Sequence, residues 1–298
     1  MINKTAMIAV IGRANVGKST LTNKLTGDKV AIVSPKPQTT RNRIFGVFTH
    51  ADTQMILLDT PGFHKARTRL GEYMVGVVRE SVSDVDAAAL IVEPIDNIGT
   101  QEELLLEHIK KSGVPAVLVI NKIDTVNYDQ LLPIIEKYSH YYAFDAIVPI
   151  SARKGDGISE LIELLETYAK PGPQLFPDGV STDQPEKQII AEIVREKLLI
   201  CLDKEIPHGT AVEITKFIER GDEENAIIDI DATIYCEKSS HKGMIIGKKG
   251  AMLKKIGQYA REDIERFMGA KVFLQTWVKV KENWRDSKMV MRNFGYGV

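Results

Sequence analysis

Near its N-terminus the chain reads Gly12-Arg13-Ala14-Asn15-Val16-Gly17-Lys18-Ser19. An apolar segment, 7–11, precedes this run, and a segment with helical periodicity, 18–25, begins inside it. Two glycines separated by four residues and followed by Lys-Ser, between a strand and a helix, are typical of a phosphate-binding loop. Loop N–H groups and the helix N-terminus would both point at phosphate oxygens. The run therefore predicts a nucleotide site in an α/β domain.

Short apolar segments alternate with amphipathic ones from this loop to about residue 169. This alternation predicts a doubly wound, mostly parallel sheet of six strands with helices on both faces. Segments 44–48 and 55–58 are separated by a short polar turn, so one edge strand should be antiparallel. The predicted strands are 7–11, 44–48, 55–58, 87–92, 116–120 and 146–150, and the predicted helices are 18–25, 70–82, 101–111, 131–138 and 159–168.

Length and composition set the limits of the fold. The chain has 298 residues, of which 44% are hydrophobic and 27% charged, which suggests two globular domains and excludes a disordered or collagen-like chain. We expect no membrane span and no secretory leader, because no uncharged apolar run has the necessary length. Cys201 and Cys236 lie far apart, as expected for a reduced, cytoplasmic protein.

The chain divides at a stretch rich in proline. We predict a nucleotide-binding domain over 1–170, an extended linker over 171–186 with four prolines and two glycines, and an α+β domain over 187–298. The second domain should run helix, strand, strand, helix, strand, and then a C-terminal extension with a short helix over 283–292. The predicted elements are 187–202, 211–219, 226–236, 251–268 and 271–281, with a polar turn at 220–224.

Charge is distributed unevenly. Residues 240–298 contain 13 basic and 5 acidic side chains, a formal charge of +8, which leaves −9 on residues 1–239. A basic end on an otherwise acidic chain predicts contact with a polyanion.

Two further motifs should bind the base of the nucleotide. Asn121-Lys122-Ile123-Asp124 follows a predicted strand, where Asp124 could accept two hydrogen bonds from guanine and the stem of Lys122 could lie along the ring. Ser151-Ala152 would place a backbone N–H near the guanine O6. Adenine has no matching donor pair, so the pattern favours GTP and GDP over adenine nucleotides.

The remaining motifs should bind the metal and sense the terminal phosphate. In Asp59-Thr60-Pro61-Gly62, the carboxylate is suited to Mg²⁺ and the glycine N–H to the γ-phosphate. We favour Thr40 over Thr39 as a second hydroxyl ligand beside Ser19, with Thr39 as the alternative. The predicted nucleotide-site residues are Gly12, Arg13, Ala14, Asn15, Val16, Gly17, Lys18, Ser19, Thr20, Thr39, Thr40, Asp59, Thr60, Pro61, Gly62, Asn121, Lys122, Asp124, Ser151 and Ala152.

Together these motifs resemble those of the translation-factor class of P-loop GTPases, in the same order along the chain. The resemblance implies GTP hydrolysis with Mg²⁺ on Ser19, Thr40 and Asp59, and with Lys18 and Gly62 at the reacting phosphate. Asn15 resembles the asparagine that helps bind a stimulatory K⁺ in some members. Phe63 stands where Ras-like enzymes carry a water-orienting glutamine, so slow intrinsic turnover is expected.

The basic end contains Gly247-Lys248-Lys249-Gly250 before a predicted helix. Glycines allow close approach of a phosphodiester backbone, and Lys254, Lys255 and Arg261 extend the positive charge. Ile245 and Ile246 could form an apolar platform for bases or could belong to the core. The order of elements around this loop resembles a type II KH domain, which binds single-stranded RNA.

Over its whole length the chain resembles the bacterial Era GTPases. The resemblance implies binding near the 3′ end of 16S rRNA, a role in 16S rRNA maturation and 30S subunit assembly, a monomeric state, and peripheral association with the inner face of the cell membrane. The alternative is a membrane-associated signalling GTPase whose basic domain binds anionic lipid.

Overall fold

The computed structural model describes residues 2–203, 205–221 and 226–297. The chain forms two compact units. The first comprises Met1–Ala31, Thr40–Arg67 and Gly71–Asp183, and the second comprises Ile32–Thr39, Thr68–Leu70 and Gln184–Val298. None of the helices in the described part of the chain combines the length and apolar composition that a bilayer span requires.

The first unit is an α/β structure. Its strands are β1 (Lys4–Ile11), β2 (Ile44–His50), β3 (Thr53–Asp59), β4 (Ala87–Val92), β5 (Ala116–Ile120), β6 (Ala146–Pro149) and β7 (Lys170–Pro171). Its helices are α1 (Lys18–Thr26), α2 (Arg69–Glu80), α3 (Thr100–Ser112), α4 (Tyr128–Tyr141) and α5 (Ile158–Glu166), although the first two residues of α2 are grouped with the second unit.

The sheet of this unit confirms the predicted doubly wound architecture. Six strands lie in the order β2-β3-β1-β4-β5-β6, all parallel except β2, which runs antiparallel to β3 as the hairpin spacing predicted. The prediction of six strands is one short, because the two-residue β7 pairs antiparallel with Lys4 and Thr5 of β1. A Lys-Pro pair gives no strand signal in the sequence, since proline lacks the N–H that a ladder needs.

Both faces of the sheet are buried. Ile8 and Val10 of β1 pack into one apolar core, and the alternating Ala9 and Ile11 pack into the other. Strands covered on both faces are apolar over most of their length, and this explains the nearly unbroken runs in the sequence. The parallel strands end at one edge of the sheet, which is where the predicted motifs follow β1, β3 and β5.

The predicted linker lies along the first unit as far as Asp183. Val47 donates a hydrogen bond to the carbonyl of Ser181 (2.8 Å), and the Gln54 amide bonds to the backbone of Phe176. The Phe176 ring lies 6.3 Å from the ring of Phe45. These contacts account for its extended course.

The second unit is an α+β structure with a three-stranded sheet. In chain order it contains α6 (Glu186–Cys201), β8 (Ala211–Arg220), β9 (Ile227–Cys236), α7 (Ser239–Ile246), α8 (Ala251–Met268), β10 (Lys271–Val280) and α9 (Lys288–Asn293). The strand order is β10-β9-β8, with β9 parallel to β10 and antiparallel to β8. Helix α7 was not predicted. Of the predicted polar turn at 220–224, residues 222–224 lie outside the described residues.

One face of this sheet carries the core. Ile190 and Val194 of α6 and Ile256 and Ile264 of α8 are fully buried in one cluster with inward residues of the strands, such as Ile230. The C-terminal extension has its own aromatic cluster, in which the buried ring of Trp284 stacks on Tyr296. Trp284 also donates a hydrogen bond to the Gly209 carbonyl (2.9 Å). Its burial fixes the end of the chain on this unit.

Candidate functional site

The loop between β1 and α1 depends on Gly17, the residue directly before α1. Gly17 has φ +100°, and a Cβ built there would lie 2.2 Å from Nδ2 of Asn121. A side chain is therefore excluded both by backbone conformation and by space. Of the other loop residues, Val16 is buried in the core, Ala14 and Thr20 are half-buried and Asn15 is exposed with φ +68°.

Lys18 lies inside this loop. Its side chain is buried, and Nζ donates hydrogen bonds to the carbonyls of Gly12 (3.1 Å) and Arg13 (2.8 Å). Burial lowers the pKa of Lys18 to about 8, and the charge of Asp59 opposes that shift. Within the described residues this ammonium donates to carbonyls and to no carboxylate, and phosphate oxygens would supply charged acceptors.

Three oxygen ligands converge beside Lys18. The Ser19 hydroxyl donates to Oδ2 of Asp59 (2.7 Å) and lies 2.8 Å from Oγ1 of Thr40. Asp59 is fully buried, and within the described residues its Oδ1 has no hydrogen-bond partner. Burial raises the pKa of Asp59 to about 6, while Lys18 lowers it. A carboxylate and two hydroxyls form a hard donor set of the kind that Mg²⁺ prefers, so these residues fit that ion.

The two candidate threonines lie in different surroundings. Thr40 is buried and contacts Ser19, whereas Oγ1 of Thr39 donates to the carbonyl of Lys36 (2.6 Å). This geometry favours Thr40 for the role that the sequence left open between them.

The segment after β3 packs directly on the phosphate loop. A Cβ at Gly62 would lie 2.6 Å from the Cα of Ala14, and the N–H of Phe63 bonds to the Gly12 carbonyl (3.1 Å). The Thr60 hydroxyl donates to the Val10 carbonyl (2.8 Å), so it stabilises the segment from within, and the neighbouring Pro61 is buried. The close packing leaves room only for glycine at position 62.

Phe63 is a core residue. Its ring is buried and makes an edge contact with His108, with ring centroids 6.3 Å apart. The side chain has no polar atom with which to orient water, as the sequence indicated.

Asn121 connects the phosphate loop to the base motifs. Its buried side chain donates to the carbonyl of Val16 (2.8 Å) and accepts from the N–H of Ala152 (3.0 Å). Asp124 accepts a hydrogen bond from Ser151 (2.7 Å), which is the largest cause of its lowered pKa. A carboxylate that stays ionised can accept the two donors on the guanine edge.

Lys122 and Arg13 pair with two acidic side chains, Glu93 and Glu102, that the sequence analysis missed. Glu93, the residue after β4, accepts from Nζ of Lys122 (2.5 Å) and from Nη2 of Arg13 (3.3 Å). Arg13 also pairs with the buried Glu102, and Lys122 donates to the Asn15 carbonyl (2.7 Å). Glu93 therefore bridges the phosphate loop and the base motif. Its position at the carboxyl end of a strand is the signal that could have identified it.

The second unit presents the basic loop between α7 and α8. Gly247 has φ +73°, and a Cβ there would lie 2.7 Å from that of Met252, so this glycine permits the turn into α8. Gly250 has φ +80° with open space around it, and Lys249 has φ +53°. The loop thus turns by left-handed conformations at three of its four residues.

The lysines of this loop face solvent, whereas one predicted contact residue does not. Lys248 and Lys249 are exposed, and so are the following cations Lys254, Lys255 and Arg261. Ile245 is fully buried in the core of the unit, which contradicts its assignment to a base-binding platform and supports the packing alternative. Ile246 is half-buried and packs against the same core.

Comparison with known proteins matches a family to part of each unit. Residues 7–122 match the family described as "50S ribosome-binding GTPase", and residues 205–285 match the KH domain family. The GTPase Era of Ruminiclostridium cellulolyticum is 52% identical over 99% of this chain and 98% of its own length. The GTPase Era of Caldanaerobacter subterraneus is 48% identical over 100% and 99% of the two chains.

Two solved structures are similar along their full length, each with a TM-score of 0.94, 37% identity, and coverage of 99% of this chain and 100% of the other. One is Era in complex with MgGDPNP and nucleotides 1506–1542 of 16S ribosomal RNA. The other is a variant of Aquifex aeolicus Era bound to GDP and tetrafluoroaluminate. Since about half of the residues are shared with relatives over nearly the whole chain, the protein belongs to the Era family of GTPases, with a GTPase domain and an RNA-binding KH domain.

Proposed function

We propose that this protein is a Mg²⁺-dependent GTP-hydrolysing switch that binds 16S rRNA near its 3′ end through Gly247–Gly250 and acts in 30S subunit assembly. The observation that carries the proposal is the full-length similarity to an Era structure that contains both MgGDPNP and nucleotides 1506–1542 of 16S rRNA. The donor set of the first unit and the exposed lysines of the second fit those two ligands.

Ser19, Thr40 and Asp59 would hold Mg²⁺. When bound, the ion neutralises charge on the β- and γ-phosphates. Lys18 binds the same phosphates by exchanging its two carbonyl partners for phosphate oxygens, and the N–H of Gly62 detects the γ-phosphate. Water attacks the γ-phosphorus, the bond from that phosphorus to the β–γ bridging oxygen breaks, and the products are GDP, inorganic phosphate and a proton from the water. Phe63 supplies no polar group to orient the water. The transition state is therefore stabilised by the charge of Lys18, by the N–H of Gly62 and by the charge that a bound Mg²⁺ would add.

The Asn15 side chain is the proposed ligand for K⁺. Asn15 lies exposed at the outer edge of the loop with a left-handed backbone conformation (φ +68°), and its carbonyl accepts a hydrogen bond from Lys122. A monovalent cation there would add positive charge beside the phosphates. Replacement of K⁺ by Na⁺ should then slow GTP hydrolysis in the wild type and have little effect on Asn15→Ala.

The GTPase part of the proposal is tested by Lys18→Ala. Removal of the buried ammonium should abolish phosphate release from GTP, measured with purified protein and Mg²⁺. Phosphate release at the wild-type rate would contradict the assigned role of Lys18. Calorimetry with ATP in place of GTP tests the base preference, which rests on Asp124.

The RNA part is tested by charge reversal at the loop. Lys248→Asp combined with Lys249→Asp should weaken binding to a 16S rRNA 3′-end fragment at least about tenfold, because two phosphate contacts become repulsive. Lys110→Asp combined with Lys111→Asp is the matched control, since this exposed pair lies on α3 of the first unit. Equal affinity of the loop variant and the wild type would refute the assignment.

The cellular role follows from the same variant. Cells in which the loop variant replaces the wild type should accumulate immature small subunits on sucrose gradients. We propose that the protein acts as a cytoplasmic monomer, with peripheral association at the inner membrane face as a further prediction. Sedimentation with anionic vesicles in competition with the RNA fragment tests the lipid-binding alternative. Binding to vesicles that RNA does not displace would favour that alternative.

A further inference from the structure

Helix α6 contains three consecutive charged residues that are all buried, Arg195, Glu196 and Lys197. Charged side chains are rarely found inside a protein unless their charges are paired. Lys197 meets this condition, because its Nζ lies 2.7 Å from a carboxylate oxygen of Glu196 and 2.5 Å from one of Asp263 on α8. Arg195 is the most deeply buried of the three, with 1% of the residue exposed, and its partners indicate a further role.

The guanidinium of Arg195 is oriented by an ion pair within its own helix. Its Nε and Nη2 atoms donate to the two carboxylate oxygens of Glu192, at 2.8 Å and 2.5 Å. A bidentate pair of this kind fixes the plane of a guanidinium as well as compensating its charge. The remaining N–H groups of Arg195 therefore point in fixed directions, and they reach backbone carbonyls.

These carbonyls belong to the segment Ile32–Thr39, which follows α1 in the chain and is grouped with the second unit. Nη2 of Arg195 donates to the carbonyl of Thr39, and Nη1 lies 3.5 Å from the carbonyl of Gln38. Gln38 has φ +58°, a left-handed conformation that residues other than glycine rarely adopt. Such a conformation persists only where surrounding contacts enforce it, and Arg195 supplies contacts at this point.

The start and the middle of the segment Ile32–Thr39 are held in the same way. The N–H of Val33 donates to Oε1 of Glu196 (2.9 Å). Nζ of Lys36 donates to the carbonyl of Leu202, the residue directly after α6. Helix α6 and its C-terminal end therefore hold this segment along its length, with Arg195 at the end that leads to Thr40.

The carbonyl of Thr39 and the Cα of Thr40 belong to one peptide group. Because a peptide group is planar, a hydrogen bond that holds this carbonyl also restricts the position of the Thr40 Cα. The dihedral angles of Thr40 itself then place its hydroxyl, which lies 2.8 Å from the Ser19 hydroxyl. The residue that holds Thr39 thus limits the positions that the Thr40 hydroxyl can reach.

We propose that Arg195 is a positioning residue for GTP hydrolysis. By holding the peptide group before Thr40, it keeps the Thr40 hydroxyl beside that of Ser19, where both oxygens could bind Mg²⁺. In GTPases the switch segments are ordered by the γ-phosphate and Mg²⁺ and released after hydrolysis, so Arg195 should matter for GTP and not for GDP. The inference rests on the GTPase function proposed above and adds a residue of α6 to those on which that function depends.

Calorimetry on the full chain tests this difference between nucleotides. Arg195→Met removes the guanidinium and should lower the affinity for GDPNP with Mg²⁺ about tenfold, because hydrogen bonds to a charged group are lost. The affinity for GDP should stay at the wild-type value. Arg195→Lys keeps a cation with fewer donors and should recover part of the GDPNP affinity.

Asp263→Asn is the matched structural control. Asp263 pairs with Lys197 (2.5 Å) and with Arg266 (2.9 Å), so this variant also removes ionic pairing from the second unit. Both Arg195→Met and Asp263→Asn should lower the Tm, but only Arg195→Met should change the ratio of GDPNP affinity to GDP affinity. Equal ratios in the two variants would make Arg195 a stabilising residue alone and would refute the proposal.

Hydrogen exchange in the nucleotide-free protein provides a readout that does not depend on bound Mg²⁺. Peptides that cover residues 32–42 should exchange faster in Arg195→Met than in the wild type, because the segment opens more often. Exchange should be intermediate in Arg195→Lys and unchanged in Asp263→Asn. Wild-type exchange in Arg195→Met would show that Arg195 does not hold the segment, and the proposal would be wrong.

These results are distinguishable from a failure of the proposed function. If the wild type hydrolyses GTP and Arg195→Met keeps the wild-type affinity ratio, the GTPase function stands and the positioning role is refuted. If the wild type does not hydrolyse GTP, the GTPase function fails, and the positioning role fails with it even where exchange is faster in Arg195→Met.

Discussion

The bridge formed by Glu93 leads to a quantitative prediction for nucleotide release. In Glu93→Gln the side chain keeps its size but loses its charge, and its NH₂ group cannot accept from a cation. One of the two contacts, to Lys122 at 2.5 Å or to Arg13 at 3.3 Å, is therefore lost and the other is weakened. Lys122 would keep its hydrogen bond to the Asn15 carbonyl but lose part of its ionic support, so its stem should be held less firmly in the proposed base site.

The size of the effect follows from exposure. A hydrogen bond to a charged group contributes about 1.5–3 kcal/mol when shielded and about 0–1 kcal/mol at the surface. The Glu93 side chain is 23% exposed and that of Lys122 is 36% exposed, so we expect about 1–2 kcal/mol. This free energy corresponds to an increase of about 5- to 30-fold in the rate of GDP dissociation.

Stopped-flow release of a fluorescent GDP measures this rate. Glu107→Gln on the exposed side of α3 is the control, and its release rate should match that of the wild type. Glu93→Asp retains the charge with a shorter reach and should lie between wild type and Glu93→Gln. An unchanged rate in Glu93→Gln, or an equal increase in the control, would refute the bridging role.

Three other predictions test the geometry of the two sites. Gly17→Ala should lower GTP affinity more than about 100-fold by calorimetry. Its Cβ would lie 2.2 Å from the buried amide nitrogen of Asn121, and the positive φ at this position is strained for alanine. Gly247→Ala should lower the urea midpoint of the second unit more than Gly250→Ala, since only the former also meets a neighbouring side chain, at 2.7 Å. Ser151→Ala removes the hydrogen bond that most lowers the pKa of Asp124, so that pKa should rise in a ¹³C NMR titration. An unchanged GTP affinity in Gly17→Ala, equal urea midpoints in the two loop variants, or an unchanged pKa of Asp124 in Ser151→Ala would each contradict the role given to that residue.

The sequence was sufficient for the architecture of the first unit because the signals there are local. Strands buried on both faces are apolar over most of their length, and the motifs follow directly at the ends of β1, β3 and β5. The relative positions of Ser19 and Asp59 then follow from the parallel arrangement of adjacent strands. A site formed at the ends of neighbouring strands is therefore predictable in outline.

Other features depended on tertiary contacts that no local pattern encodes. Helix α7 contains Gly243 and buries only Ile245 fully, so its sequence has little helical periodicity. The sequence left Ile245 open between the RNA surface and the core, because an isoleucine beside a basic loop has the same local sequence whether it faces in or out, and the structure places it in the core. Arg13 and Glu93 are 80 positions apart, and their pairing follows only from the sheet order.

Asn121 and Asp124 divide their tasks in a way that matters for engineering. The Asn121 side chain joins the phosphate loop, at Val16, to the loop after β6, at Ala152. Any replacement should therefore disturb the binding of the phosphates and the shape of the base pocket together. The Asp124 carboxylate accepts a hydrogen bond from the Ser151 hydroxyl, and among the described residues it shares neither of the two hydrogen bonds that the Asn121 side chain makes. We therefore expect Asp124→Asn, whose amide complements xanthine, to change the base preference of the proposed site without breaking the hydrogen bonds of Asn121.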